Sequence, residues 1–196
     1  MKGRRVTPQL KIFTGPMFGG KTTRMIAALE RFQYQNKKTI LFKPKMDRRY
    51  SEETVVTHKG QEHKCVLVED GFEMYNASME YDVVAVDEMF MIPHSSDCLL
   101  QLFKRGKTIL ISSLQLSSAS ERLPITYESF EEVQKIMPWA TSIEVCPAVC
   151  AHCDQDAYYT DRLATEQKKV LVGGAESYQP VCYKHSIMGA SDVKDG

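Results

Sequence analysis

Three groups of residues in this 196-residue chain could do chemistry. The first is Gly15-Pro16-Met17-Phe18-Gly19-Gly20-Lys21-Thr22, which fits the pattern G-x-x-x-x-G-K-[ST] at every fixed position. Glycines let such a backbone curl until several N–H groups converge on phosphate oxygens, and a helix starting behind them adds its positive dipole end. In that pattern Lys21 reaches the β- and γ-phosphates of a nucleotide and the Thr22 hydroxyl holds Mg²⁺. The second group is Asp87-Glu88, two carboxylates closing the apolar run Tyr81–Val86. Asp87 is placed to hold Mg²⁺ directly or through water, which leaves Glu88 to act as a base. The third group is Cys150-Ala-His-Cys153 with Cys182-Tyr-Lys-His185, two knuckles supplying three thiolates and an imidazole. That is a closed tetrahedral set for structural Zn²⁺. His152 and Cys146 are further donors nearby, ranked below these four.

These groups need elements to position them. Leu10–Thr14 reads as a strand before the glycine-rich loop, and Thr22–Phe32 as a helix after it, with Met25, Leu29 and Phe32 on one face. Thr39–Lys43 is a second strand, closed by Pro44 and parallel to the first through a right-handed crossover. Tyr81–Val86 and Thr108–Ser112 read as buried parallel strands, with a helix over Asp97–Lys104 between them and a last strand over Thr141–Cys146. Ser129-Phe-Glu-Glu132 matches a capping box opening another helix, which Met137-Pro138-Trp139 ends. Between Ser51 and Asp70 there are only short β-like pieces, Thr54–Thr57 and Cys65–Val68, with His58 and His63 read as surface or hydrogen-bonded. Ligands in open α/β sheets bind beyond the carboxyl ends of the strands, so the loop and the acidic pair face one crevice. The expected division is a phosphate-binding α/β domain over 1–146 and a metal-binding unit over 147–196.

Composition narrows the function. Lys and Arg number 25, as do Asp and Glu. Neither the whole chain nor the mixed charges around the knuckles (Lys168, Lys169 and Lys184 against Asp154, Asp156, Asp161 and Glu166) offer the basic face that nucleic acid requires. No apolar run is long enough to span a membrane and no apolar region follows the basic Met1–Arg5, which points to the cytoplasm. In a reducing compartment, four of six cysteines crowded into the last quarter favour metal over disulfides.

The two knuckles are separated by 28 residues. A metal would pin the ends of this excursion together, and Tyr158-Tyr159-Thr160, Arg162, Val170-Leu171-Val172, Gly173-Gly174 and Tyr178 inside it suit a lid closing over a flat ring. A plain zinc-ribbon hairpin is the other reading.

Taken together, the segment from about Leu10 to His185 resembles the type II thymidine kinases, the cellular and poxvirus-like family. The loop is close to that family's GPMFSGKST, Asp47-Arg48-Arg49-Tyr50 is similar to its DTRY, and Asp87-Glu88 opens its DEGQFF segment. Tyr159–Arg162, Gly173–Tyr178 and Pro180–Cys182 follow its lasso. The resemblance implies a RecA-like P-loop parallel sheet with a small C-terminal zinc-anchored lasso domain. It also implies ATP-dependent phosphorylation of thymidine with Mg²⁺, a homotetramer, and feedback inhibition by thymidine triphosphate. By position, Glu88 is the general base for the sugar 5′-hydroxyl and Arg49 lies near the transferred phosphate. Met17, Met91, Leu114, Thr160, Leu171, Gly173, Gly174 and Tyr178 fall around the nucleoside. The chain departs from the family at Met89-Phe90-Met91-Ile92, which stands for Gly-Gln-Phe-Phe, and at Leu114–Ser120, which replaces LDGTFQR. The phosphate half is kept and the nucleobase pocket is altered. Two other functions fit the same motifs: a P-loop ATPase carrying a zinc-ribbon nucleic-acid module, and a deoxynucleoside kinase of changed base specificity.

Overall fold

The computed structural model describes residues 7–47, 54–56, 62–120, 125–163 and 172–192. Its centre is a sheet of six strands in the order β5-β2-β6-β7-β1-β8, parallel at every pairing. In chain order the elements begin β1 (Leu10–Thr14), α1 (Lys21–Tyr34) and β2 (Thr39–Pro44), followed by β3 (Thr54–Val56), β4 (Glu62–Lys64), β5 (Val66–Val68) and α2 (Gly71–Ala77). Next come β6 (Val83–Val86), α3 (Ser95–Lys104), β7 (Thr108–Ser113), α4 (Glu131–Ile136) and β8 (Ser142–Val145). The chain then makes β9 (Ala148–Val149), β10 (Asp156–Ala157), β11 (Tyr159–Arg162), β12 (Tyr178–Val181) and α5 (Ile187–Asp192).

Strand alternation sorts the core into two layers. Leu10 and Ile12, Val84 and Val86, and Ile109 and Ile111 face α2, α3 and α4, packing with Met74, Leu99, Leu102, Val133 and Ile136. Phe13, Val83, Ala85 and Leu110 face the other way, onto Met25, Ile26, Leu29 and Phe32 of α1. Continuous apolar runs are therefore what both-sided burial demands. β1 and β2 run parallel as expected, with β6 and β7 inserted between them.

The structure corrects the local reading in two places. The segment before β6 contains a short helix, α2, capped by Asp70, whose Oδ1 accepts from the Phe72 and Glu73 amides at 2.9 Å each. β5 is a full edge strand beside β2. The capping box at Ser129 does not form. α4 starts at Glu131 with Phe130 as its cap residue, and Ser129 Oγ accepts instead from Gln134 Nε2. Glu132 turns away from its own helix start and accepts from the Ser96 amide of α3 at 2.7 Å. His58 lies outside the described residues; His63 Nε2 is 3.8 Å from Glu30 Oε1.

A third, small core holds Ala148, Cys150, Ala157, Val181 and Cys182, with Phe18, Cys153 and Tyr159 packed against it. It is built from two antiparallel pairs, β9 with β10 and β11 with β12.

Candidate active site

The parallel sheet sends β1, β6 and β7 to one edge, where their carboxyl ends deliver the chemistry. β1 runs straight into the glycine-rich loop, and α1 begins at Lys21 behind Gly20, which has φ 74°. The loop is pressed against the chain leaving β8. A Cβ on Gly15 or Gly19 would stand 2.3 or 2.2 Å from the Cys146 carbonyl oxygen, so no larger residue fits either position without displacement. Cys146 is thus a wall of the loop and lies outside the metal cluster. Lys21 is buried, and its ammonium donates to the Pro16 carbonyl at 2.6 Å, across the loop it belongs to. Cradle and cation fit a polyphosphate.

Thr22 and Asp87, 65 positions apart, meet here: the Thr22 hydroxyl donates to Asp87 Oδ1 at 2.9 Å, with Ser112 Oγ of β7 3.5 Å from the same hydroxyl. Burial, and then the charge of Glu88, push the Asp87 carboxyl up to about 6, although hydrogen bonds from Ser112 and Thr22 pull the other way and Asp47 adds to the rise. Such crowding of negative charge is what a cation would relieve. A hydroxyl and a carboxylate beside a phosphate loop are oxygen donors of the kind that Mg²⁺ takes. Glu88 follows in a left-handed backbone conformation (φ 49°, ψ 44°) and is 8% exposed. Asp47, at the end of β2, pairs with the equally buried Lys43 at 3.6 Å.

Directly after Glu88, Met89–Met91 forms one turn of 3₁₀ helix. Met91 is partly exposed, while Phe90 packs on Phe130 at 4.4 Å between ring centroids. Leu114 belongs to the main core with Phe130. Met17 and Thr160 are joined, the Met17 amide donating to Thr160 Oγ1 at 3.0 Å. Tyr178 is buried, with the Arg162 guanidinium 5.6 Å from its ring centroid. Gly173 is buried, and the Gly174 carbonyl accepts from the Ser177 and Tyr178 amides. Arg49 and Leu171 lie outside the described residues.

The four knuckle residues converge, their ligand atoms all within 4.8 Å of one another. Cys153 Sγ and Cys182 Sγ are 3.8 Å apart, far beyond a disulfide bond, and the sulfur-to-His185 Nδ1 distances are 3.2 to 3.6 Å. Tetrahedral bonds of about 2.3 Å to sulfur and 2.0–2.1 Å to nitrogen require edges of roughly 3.8 and 3.5 Å. The cluster therefore fits zinc. His152 stands aside, its Nε2 3.2 Å from Gln179 Nε2 and its ring 5.3 Å from that of His185.

A family model described as thymidine kinase matches residues 8–186. The chain is 32% identical over 189 residues to a thymidine kinase of Pyrobaculum aerophilum, spanning 91% of this chain and 98% of that one. It is 33% identical over 192 residues to a thymidine kinase of Thermococcus kodakarensis, spanning 91% and 94%. Thymidine kinase 1 of Dictyostelium discoideum is 31% identical over 185 residues, spanning 91% and 77%.

This chain belongs to the thymidine kinase family. In this thymidine kinase family member, β11 is tied to the segment before α4 by contacts that the sequence did not pair. Arg162 Nε donates to Ser118 Oγ at 3.2 Å, and its amide donates to the Ala119 carbonyl at 2.7 Å. The Tyr127 hydroxyl donates to Asp161 Oδ1 at 2.5 Å. Burial and that bond raise the Tyr127 hydroxyl far above its ordinary value, so it stays a donor. Ser118 and Ala119 come from the Leu114–Ser120 stretch that departs from the family pattern and Tyr127 from the loop after it, so only the fold reveals them as supports. Asp47 and Lys43 were legible as loop and strand residues, but not as a buried pair.

Proposed function

We propose that this thymidine kinase family member transfers the γ-phosphoryl group of ATP to the 5′-hydroxyl of thymidine, giving thymidine monophosphate and ADP. Family membership supports the substrate pair. The single observation that carries the mechanism is the Thr22–Asp87 contact at 2.9 Å at the foot of the phosphate loop, with Glu88 next in the chain. Glu88 takes the 5′-hydroxyl proton as that oxygen bonds to the γ-phosphorus. The bond from the γ-phosphorus to the β–γ bridging oxygen breaks, and ADP leaves with its electron pair. Lys21 and the amides of Gly15–Thr22 spread the charge of the moving group. Mg²⁺ held at Thr22 and Asp87 would neutralise the polyphosphate.

Arg49 assists at the transferred phosphate in this reading. Met17, Met91, Leu114, Thr160, Leu171, Gly173, Gly174 and Tyr178 enclose the nucleoside. Cys150, Cys153, Cys182 and His185 hold zinc and anchor a lasso unit over 147–196 beside a nucleotide-binding unit over 1–146. A homotetramer, inhibition by thymidine triphosphate and a cytoplasmic location complete the proposal. The outer edge of the sheet supports self-association, since Ile143 and Val145 of β8 are 45% and 46% exposed. Among the described residues no helix is long and apolar enough to cross a membrane.

Incubation with labelled ATP, Mg²⁺ and each deoxynucleoside in turn tests the proposal. Label on thymidine supports it; label only on water, or nowhere, overturns it. A second reading, changed base preference, is favoured by the Phe90–Phe130 stack where the family has a polar residue at position 90. It predicts faster labelling of a different deoxynucleoside.

A further inference from the structure

We infer that Glu132 is a positioning residue for phosphoryl transfer: its carboxylate, reaching from α4, holds the turn that presents Glu88. The inference rests on the reading of Glu88 as the base.

The turn needs holding. Glu88 sits at φ 49°, a region that a side-chain-bearing residue occupies at some cost and keeps only when its surroundings impose it. The turn closes through the Met91 amide on the Glu88 carbonyl and the Ile92 amide on the Met89 carbonyl, both at 3.0 Å. It then enters α3 through His94, again left-handed at φ 59°. Both ends of the segment are thus in conformations the chain does not choose by itself.

No side chain within the segment caps α3: His94 makes no side-chain bond to the helix start, and of the first-turn amides the segment meets only that of Ser95, through the Ile92 carbonyl at 3.3 Å. Glu132 supplies the cap from another helix. Its Oε2 accepts from the Ser96 amide at 2.7 Å and lies 3.3 Å from Ser95 Oγ. That hydroxyl is fully buried and also lies 3.3 Å from the Met89 carbonyl oxygen and 3.0 Å from the Met89 sulfur. The single Ser95 proton is shared among these acceptors, so Ser95 links Glu132 to the residue that follows Glu88. The carboxylate is 14% exposed, so water competes weakly for it, and its negative charge suits the positive end of α3. At the cap of α4, two residues before Glu132, Phe130 presses on Phe90. Helix α4 thus braces the turn by a polar contact and an apolar one. A misread capping box was the only trace of this in the sequence. Glu132 looked like a partner for its own helix start, whereas its bond crosses to a neighbouring one.

A cap that only stabilises α3 would change the melting temperature and leave turnover alone. A positioning residue changes turnover with ATP affinity intact. Glu132→Ala should lower kcat about 10- to 100-fold, the scale on which small misplacements of reacting groups act. The KM for ATP, and affinity for a non-hydrolysable ATP analogue, should stay within twofold. Glu132→Gln, which keeps the shape and one acceptor, should recover most of kcat. Ser95→Ala should lower kcat in the same way, and Glu132→Ala with Ser95→Ala together should be no worse than the worse single variant. Val133→Ala opens a cavity in the same helix without touching this link, and it should keep kcat within twofold.

Wild-type kcat in folded Glu132→Ala would overturn the inference, as would a loss that Val133→Ala reproduces, or an additive double variant. If Glu132→Ala does not fold, Glu132→Gln and Ser95→Ala decide: activity restored in the first and lost in the second supports the link, and full activity in Ser95→Ala ends it. Failure of wild type to phosphorylate any nucleoside would instead sink the functional reading itself.

Discussion

The amide of Met17, on the phosphate loop, donates to the hydroxyl of Thr160, on β11 of the β11–β12 pair, across 143 residues of sequence. Phe18, the next residue, is left-handed at φ 66° and packs against the zinc-side core. The tip of the ATP loop is therefore shaped by the unit that would close over the nucleoside. Thr160→Val keeps the side chain's bulk and removes the acceptor. Leaving the Met17 amide without it should cost about 1–3 kcal/mol of stability. We expect a lower melting temperature and several-fold weaker binding of an ATP analogue by calorimetry; unchanged affinity would show the loop to be independent of that pair.

Glu88→Gln preserves size and removes basicity. Turnover should fall about 10²-fold or more, the range for loss of a general base, while analogue binding stays as in wild type. Rapid-quench measurement of the chemical step separates this from slow product release. Undiminished chemistry would remove Glu88 from its role.

Gly19 has no room for a side chain, since a methyl carbon there would meet the Cys146 carbonyl at 2.2 Å. Gly19→Ala must push loop and β8 apart, and forced overpacking of this kind typically costs about 1–3 kcal/mol. The loop amides lose their convergence with it. Melting temperature and analogue affinity should both drop, and wild-type affinity in a folded Gly19→Ala protein would contradict the contact.

Much of this molecule could be read from residue order because its signals are local. Thr14 into Gly15, Val86 into Asp87 and the paired knuckles each carry their meaning within a few positions. What escaped was long-range or short. Helix α2 has seven residues, too few for periodicity to register, and is marked chiefly by its cap Asp70. The β-like piece read at Cys65–Val68 forms as β5, but its place beside β2 comes from a pairing that its three residues do not announce. Glu132, Arg162 and Tyr127 act on partners 30 or more positions away, and spacing along the chain says nothing about those.

If the Cys150–Cys153–Cys182–His185 cluster holds zinc as proposed, removing the metal should loosen the β9–β12 unit. Cys150 is held down to about 6: burial opposes ionisation, but amide hydrogen bonds from Cys182 and His152 and a bond from His185 outweigh it. A thiolate ready for metal is the result. Cys150→Ala should bind no zinc by metal analysis, melt at a lower temperature, and lose thymidine phosphorylation more than analogue binding. A zinc-free wild-type protein of full stability would contradict the assignment.

Asp87 supplies a pH test whose sign is definite for the metal- and nucleotide-free protein. Its carboxyl is raised from 3.8 to about 6, by burial first and then by Glu88. Between these values the folded protein keeps a proton that the unfolded chain has released, so stability falls as pH rises through this window and the loss is complete above it. A shift of this size corresponds to roughly 3 kcal/mol. Asp87→Asn removes the ionisation while leaving a side-chain oxygen for Thr22. The variant should melt close to wild type near pH 4 and clearly above it at pH 7, yet lose activity because the cation site is gone. Added Mg²⁺ with an ATP analogue should stabilise wild type at pH 7 and do much less for the variant. If the two proteins melt alike across the whole range, the buried carboxylate carries no penalty, and the case for a site strained in advance for a cation falls with it.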